Sequence, residues 1–446
     1  MSQLHASASQ VHAEYQALCQ EPIALDLTRG KPSPEQLDLS TALDTDMQGQ
    51  YLSMTGADTR NYGQLRGIEE VRALGAEIME LDADDIFAFG NASLTLMYQC
   101  VDLALRFGLW QDQRRWNRTT NPKVLAPAPG YDRHFALCER LGLELVPIPM
   151  TPRGPDMIAA KRLVLADASI KAIWCVPRYS NPTGCTYSDS VVKAIARLPS
   201  DAAADDFVVF WDNAYAVHHL DSNPQPLASI KQAAQSAGTW DHILQFASTS
   251  KITYASGGVA FVAASAPVLE SIESHFSLFA IGSDKVNQLR HARFLSGRVA
   301  EHMAQHARLL RPKFELVQQM LSEGLKGWPM ATWTEPKGGY FVSLETDPGL
   351  AARVVELAAA AGLKLTAAGA TFPYGRDPMD SNIRIAPSFA DLDELQAALR
   401  LLVCCLKLAS IEQLNPAPAD QTTTPELAGP ATNSLSSKTP SNENTL

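Results

Sequence analysis

Residues 242–251 read His242-Ile243-Leu244-Gln245-Phe246-Ala247-Ser248-Thr249-Ser250-Lys251, an apolar strand-like run that delivers a lysine directly behind three hydroxyl side chains. Two further apolar runs upstream end the same way. Phe207-Val208-Val209-Phe210-Trp211 leads to Asp212, and Ala172-Ile173-Trp174-Cys175-Val176-Pro177 leads to Asn181-Pro182-Thr183-Gly184. Val259-Ala260-Phe261-Val262-Ala263 adds a run just downstream. Short apolar strands of this kind, separated by helical stretches, specify a mostly parallel sheet covered on both faces. In such a sheet the functional groups collect at the carboxyl ends of the strands, where Asn181, Asp212 and Lys251 all fall.

Moving outward, Val124-Leu125-Ala126-Pro127, a Pro129-Gly130-Tyr131 turn, a helix around Phe135 to Leu141 and the strand Glu144 to Ile148 repeat the pattern. A helix around Ser190 to Leu198 follows Gly184. Phe87 to Ser93 is read as a short strand entering a helix whose apolar face is Leu94, Met97, Tyr98, Val101 and Leu105, with Ser93 or Asn91 as cap. A helix N-terminus entered through small residues is a seat for phosphate, because its free N–H groups and dipole both favour an anion. Ahead of it, Leu25 to Pro34 is an extended segment broken by glycine and two prolines, and Ile68, Val71, Leu74 and Ile78 mark a helix.

Beyond Ser265 the chain turns helical, with an amphipathic stretch from Val299 to Leu325 leading to an α+β unit. That unit has strands at Gly338–Ser343, Lys364–Thr366 and Asn382–Ala386, and helices at Leu350–Ala361 and Leu392–Leu408. Past Asn415 the chain is rich in Pro, Thr, Ser and Asn, which predicts a disordered tail.

The 446 residues, 46% of them hydrophobic, suit a globular enzyme of two domains. A formal charge of -11, from 37 basic and 48 acidic residues without long runs of one sign, favours neither nucleic acid nor an anionic membrane. Seven scattered cysteines with no C-x-x-C pair read as reduced, mostly buried thiols, and no metal site is expected. The polar start and the lack of a long apolar run point to a cytoplasmic protein.

The residues at the sheet edge suit one chemistry. A lysine there can form an imine with an aldehyde cofactor, and partial desolvation helps its amine lose a proton. A pyridine ring used as electron sink needs a carboxylate such as Asp212 at its nitrogen. Tyr215 and Asn181 could bond the ring hydroxyl, and Tyr131 could stack on the ring. Singly, each has an ordinary alternative: Asp212 as a helix cap, Asn181-Pro182 as a turn, the tyrosines as core aromatics. Jointly, an acid, an amide, a lysine and a phosphate seat at one edge are hard to assign to chance.

The ordered set Tyr62 with Gly67, Asn91-Ala92-Ser93, Pro129-Gly130-Tyr131, Asn181-Pro182-Thr183-Gly184, Asp212-x-x-Tyr215, Ser248-x-Ser250-Lys251 and Asn382-x-Arg384 resembles the class I aminotransferases of the pyridoxal-phosphate fold-type I superfamily. It covers about residues 25 to 410. Thr28-Arg29-Gly30-Lys31-Pro32, Tyr179 to Gly184 and Thr249-Ser250-Lys251-Ile252-Thr253 are similar to the divergent aspartate aminotransferase subgroup.

The resemblance implies a seven-stranded, mostly parallel sheet in an α/β/α sandwich (58–300) and a smaller α+β domain (301–414), which residues 1–57 join; 415–446 form the tail. It implies pyridoxal 5'-phosphate held as an internal aldimine on Lys251, which also moves the substrate proton. Asp212 pairs with the ring nitrogen, Tyr215 and Asn181 with the ring oxygen, and Tyr131 stacks. Asn91, Ala92, Ser93, Ser248 and Ser250 surround the phosphate with Tyr62 from the partner subunit of a homodimer. Arg384 clamps the α-carboxylate, Gly30 allows close approach to the substrate, and Arg29 or Arg178 meets a side-chain carboxylate. One position departs from the pattern: the phosphate-pairing arginine eight residues after the lysine is Val259 here.

The expected reaction is ping-pong transamination between an amino acid, foremost aspartate, and 2-oxoglutarate. A pyridoxal-phosphate lyase or decarboxylase is the alternative within the same fold, opposed by Arg384, which holds the carboxylate. A non-catalytic ligand sensor fused to a DNA-binding domain is opposed by the short lead before Leu25 and by the acidic balance.

Overall fold

The structure is a computed structural model that describes residues 2–20, 24–45, 47–110 and 114–415, with side chains from residue 8 onward. The tail expected at 415–446 lies, except for Asn415, outside the described residues. Eight strands form the main sheet, in the order Ile86–Ala88, Ala260–Ala263, Ile243–Ser248, Val208–Asp212, Ile170–Cys175, Lys123–Ala128, Glu144–Thr151 and Gly154–Pro155. Seven match the sequence reading. The eighth, the two-residue Gly154–Pro155, folds back as an antiparallel edge on Thr151 and Met150.

Five consecutive strands, from Ile243–Ser248 to Glu144–Thr151, run parallel. Ala260–Ala263 is antiparallel to both its neighbours, which makes the sheet mixed at that side.

Alternation along the strands sorts the core into two layers. Phe210 and Phe246 face Trp174, Phe87 and Phe276 beneath the helices Ser93–Arg106, Asp132–Arg140 and Ala266–Phe276. Val209, Trp211 and Ile243 face the opposite way, against the helices Met157–Ala166, Asp189–Asp201 and Ile230–Ala237. Asp212, two residues past Phe210, therefore emerges on the Phe210 side of the sheet.

A separate apolar cluster packs the long helix Val299–Gly324 and the helices Ala351–Ala360 and Leu392–Leu414 against a three-stranded antiparallel sheet of Ala331–Trp333, Val342–Thr346 and Asn382–Ile385. Val11 and Leu18 of the helix Ser2–Gln20 join this cluster, and Leu25–Asp26 pairs in parallel with Leu363–Lys364. The strand expected at Gly338–Ser343 begins only at Val342. Gly338 and Gly339 instead lie against Tyr179, where a Cβ on Gly339 would come within 2.7 Å of the Tyr179 Cβ, and Gly339 has φ +76°. No described helix is long and apolar enough to cross a membrane.

Candidate active site

The parallel strands deliver Asp212 and Lys251 to one cleft. Asp212 ends its strand and is 3% exposed. One carboxylate oxygen lies 2.9 Å from His134 Nε2, and the other is buried with no hydrogen-bond partner. His134 stacks on Trp174 at 4.3 Å and meets the Tyr131 ring edge-on at 4.9 Å. Tyr131 is the residue before the helix Asp132–Arg140, so a single turn of chain supplies both the aromatic ring and the histidine. Burial pushes the Tyr131 hydroxyl up, against the opposing pull of the Lys251 charge.

Lys251 follows the strand Ile243–Ser248, and its Nζ lies 4.3 Å from the centroid of the Tyr215 ring. Burial raises the Tyr215 pKa. The Lys251 carbonyl accepts from the Tyr340 hydroxyl at 3.3 Å and lies 3.2 Å from His218 Nε2. His218 is driven well below the usual imidazole range, by burial first and the Lys251 charge second, so it is the neutral ring that donates from Nε2.

The expected phosphate seat is formed by Ala92 and the helix Ser93–Arg106. Ala92 is the N-cap and has no side chain to bond the first-turn N–H groups. Thr95 N–H donates to the Ala92 carbonyl at 3.1 Å, which leaves the N–H groups of Ser93 and Leu94 as the first-turn donors suited to an anion. The loop before it is tied to the lysine segment: Ser250 Oγ donates to the Asn91 carbonyl at 2.7 Å, and Asn91 Nδ2 donates to the Ser256 carbonyl at 2.9 Å. Ser248 closes its strand on the same side. Val259 is buried in the apolar cluster with Phe261 and Ile252, and its N–H donates to Thr249 Oγ1 at 2.8 Å. Arg290 borders a cavity of about 430 Å³ with Gly90, Asn91 and Val259.

Across the cleft, Arg384 is 6% exposed on the strand Asn382–Ile385. Its Nη1 donates to Asp132 at 2.8 Å and to Asn181 Oδ1 at 3.3 Å, and its guanidinium carbon stands 5.0 Å from the centroid of the Phe341 ring. Gly30 lies against that same ring; a Cβ there would sit 2.5 Å from Phe341 Cζ. Thr28 offers its carbonyl to Arg384 Nη2 at 3.4 Å, which closes the N-terminal segment over the arginine.

Lys251, Asp212, Tyr215, Tyr131, Asn181 and Arg384 are thus brought together. Arg29 is exposed on the segment that closes over Arg384. Arg178 is not among them: its Nη1 donates to the Ala216 carbonyl at 2.8 Å, and the side chain borders a small cavity with Trp211, Asn213 and Gln245 on the other face of the sheet. Tyr62 is 78% exposed, its carbonyl accepting from Lys285 Nζ at 3.0 Å. A cavity of about 620 Å³ is a distinct cleft along the long helix, bordered by Leu220, Met303 and Ala307, and none of the predicted site residues line it. His134, His218, Asp132 and Tyr340 were missing from the sequence reading; the one available signal was His134, a single turn after Tyr131.

The family model for aspartate amino-transferase matches residues 1–417. The chain belongs to the aspartate amino-transferase family. A Mycolicibacterium smegmatis protein that carries an aminotransferase name is 46% identical over 92% of this chain and 96% of its own length. The aspartate aminotransferase of Corynebacterium glutamicum is 39% identical over 90% of this chain and 93% of its own. The crystal structure of an aspartate transaminase from Corynebacterium glutamicum superposes with a TM-score of 0.89 at 38% identity, over 93% of this chain and 97% of that one. As a transaminase of this family, the protein places Asp212, Lys251 and Arg384 around one cleft.

Proposed function

We propose that the protein is a pyridoxal-phosphate-dependent aminotransferase of the cytoplasm that moves the amino group of aspartate to 2-oxoglutarate by a ping-pong mechanism. The observation that carries the reading is Asp212: a buried carboxylate with one oxygen fixed by His134 and the other left open, in the cleft that holds Lys251. Buried polar atoms without partners are rare, and a protonated ring nitrogen is the donor this one lacks. The uncapped N-terminus at Ala92 supplies the matching seat for a phosphate.

Bound there through Lys251, pyridoxal phosphate supplies the electron sink that stabilises negative charge at the substrate Cα. Asp212 keeps the ring nitrogen protonated, and His134 keeps Asp212 oriented. Tyr215 and Asn181 serve the ring oxygen, and Tyr131 covers the ring face. Ala92, Ser93 and Ser248 bind the phosphate; Asn91 and Ser250, bonded to one another, hold the shape of that loop. Arg290, which lines the same cavity as Val259, is the cation assigned in place of the charge missing there. Arg384 clamps the α-carboxylate, which fixes the Cα–H bond toward Lys251. Lys251 Nζ, once free as an amine, would be the base that takes the proton from the substrate Cα and holds it for return. Of the two arginines considered for the substrate side chain, Arg29 is the one we retain, because Arg178 lies on the far face of the sheet.

Division of the chain at about 57/58 and 300/301, with the cleft between the two larger units, belongs to the same proposal. So does a homodimer. Leu52, Met54, Tyr62, Leu278, Phe279 and Ile281 are exposed apolar side chains on two segments joined by the Gly63–Gly282 bridge. A second copy covering them would receive Tyr62 into its phosphate seat.

The test is the visible spectrum of the purified protein, with products measured alongside. Wild type is expected to be coloured, to bleach on adding aspartate and to release oxaloacetate; Lys251→Ala is expected to lose the lysine-bound absorbance. A protein that stays colourless after pyridoxal phosphate is added would sink the cofactor assignment. Half-reactions with alanine or aromatic amino acids but none with aspartate or glutamate would sink the substrate.

A further inference from the structure

Arg384 is a buried cation whose hydrogen bonds are unequal. Its strong, charge-assisted bond goes from Nη1 to Asp132 Oδ1 at 2.8 Å. The others are long: 3.3 Å to Asn181 Oδ1, 3.4 Å to the Thr28 carbonyl and 3.3 Å to Thr366 Oγ1. Nε is buried with no partner. Asn181, which lines a small cavity with Tyr131 and His134, marks the end of the guanidinium nearest the Asp212 side of the cleft, and Asp132 occupies that same nitrogen.

We propose that Asp132 is a resident counter-ion that holds Arg384 in place of the substrate's α-carboxylate and surrenders it on binding, a specificity-determining role that rests on Arg384 being the carboxylate clamp. Both N–H groups of Nη1 are taken, by Asp132 and by Asn181, so an α-carboxylate that approaches from the Asn181 end gains Nη1 by exchange with Asp132. The structure makes that exchange cheap. The Asp132 side chain is 31% exposed against 6% for Arg384, so it can turn to water while the arginine stays buried. It also stands in the first turn of the helix Asp132–Arg140, where the helix dipole favours its charge whether or not Arg384 is bound.

The pair spans the cleft, from a helix packed on the main sheet to a strand of the three-stranded sheet. The exchange therefore moves a cross-cleft tie from protein to substrate. It also keeps Arg384 from presenting an unpaired buried charge between turnovers, a state that would be costly. A ligand without an α-carboxylate has nothing to exchange and leaves the tie intact.

The test uses the cofactor-loaded enzyme and the variants Asp132→Asn, Asp132→Ala and Asp132→Glu. Removing the competing charge is expected to lower the KM for aspartate and the calorimetric Kd for succinate by roughly tenfold, about the size of one charged hydrogen bond. kcat is expected to hold or fall, since product carboxylates leave the clamp more slowly. Asp132→Glu, which keeps the charge, is expected to stay near wild type, and aspartate α-amide is expected to gain nothing from any variant. A KM and succinate Kd that are unchanged or higher in both neutral variants would overturn the proposal and make Asp132 a buttress. Arg384→Gln separates the two layers of inference. A large rise in KM there, with no fall in Asp132→Asn, refutes the exchange alone; an unchanged KM in Arg384→Gln refutes the clamp and the exchange together.

Discussion

Asp212→Asn separates what the buried carboxylate does for the fold from what it does for the cofactor. Asp212 is 3% exposed, one oxygen is 2.9 Å from His134 Nε2, and the other has no partner. Without cofactor, that open oxygen carries an uncompensated desolvation cost of about 1–3 kcal/mol. Asparagine has the same shape and no charge, so the cofactor-free variant is expected to be at least as stable as wild type in urea unfolding. With cofactor the balance reverses. The variant loses one charge-assisted bond, worth about 1.5–3 kcal/mol, and fluorescence titration of the cofactor-free proteins should show pyridoxal phosphate bound roughly 10- to 150-fold more weakly. At saturating cofactor, kcat is expected to fall by roughly 10²–10³, the usual loss when a preorganised electrostatic group is removed. A variant that binds pyridoxal phosphate as tightly as wild type and turns over normally would refute the role of Asp212. So would a cofactor-free variant destabilised by several kcal/mol, since the carboxylate would then be structural.

Acid should destabilise the protein from an identifiable set of histidines. His219, His291 and His306 are lowered to about 4, in each case chiefly by burial, so between pH 6.5 and 4 the unfolded chain binds protons that the folded one refuses. Their stabilisation is complete above pH 6.5 and lost as pH falls toward 4; a urea midpoint flat across that window would contradict this. Gly338→Ala places a Cβ against the Tyr179 ring and the His218 carbonyl, and should cost about 1–3 kcal/mol with a fall in kcat, because both neighbours border the site; an unchanged unfolding midpoint would rule it out. Ile281→Asp, at a side chain 71% exposed, should shift sedimentation from dimer to monomer and weaken activity, whereas a wild type that sediments as a monomer would remove the interface altogether.

The site was legible where a strand end fixes it. Continuous apolar runs, one ending directly in Asp212 and one leading through Ser248, Thr249 and Ser250 to Lys251, place both at a common edge, and the strands form as read. Arg178 shows where that logic stops. Past Cys175 the alternation is broken by Pro177 and by Tyr179, whose φ is +51°, so the side of the sheet that Arg178 takes cannot be counted from the strand. The antiparallel run of Ala260–Ala263 was hidden for a related reason: direction depends on how the chain returns after Lys251, and an apolar run reads the same both ways. Asp132 and His134 were hidden by nearness, because three consecutive polar residues at a helix start look like an ordinary solvated turn.

The layer behind Lys251 was hidden more deeply, and it bears on why the lysine is held so firmly. Its carbonyl is met by Tyr340 and His218; Tyr340 accepts from Gln36 Nε2 at 3.1 Å; Gln36 lies 3.0 Å from His306 Nδ1; and His306 lies 3.2 Å from His302. These groups come from the N-terminal segment, the turn after Asp212, the long helix and the edge of the small sheet, so no local spacing announces them. Taken singly, each reads as a satisfied core residue. Together they bind the lysine's peptide unit from four parts of the chain, and burial keeps the three histidines below their ordinary pKa. Neutrality matters there: a protonated His218 beside Lys251 would set two cations against each other in a dry space. The polar layer can therefore fix the lysine's backbone without adding charge, which leaves the electrostatics at Nζ to the groups that line the cleft.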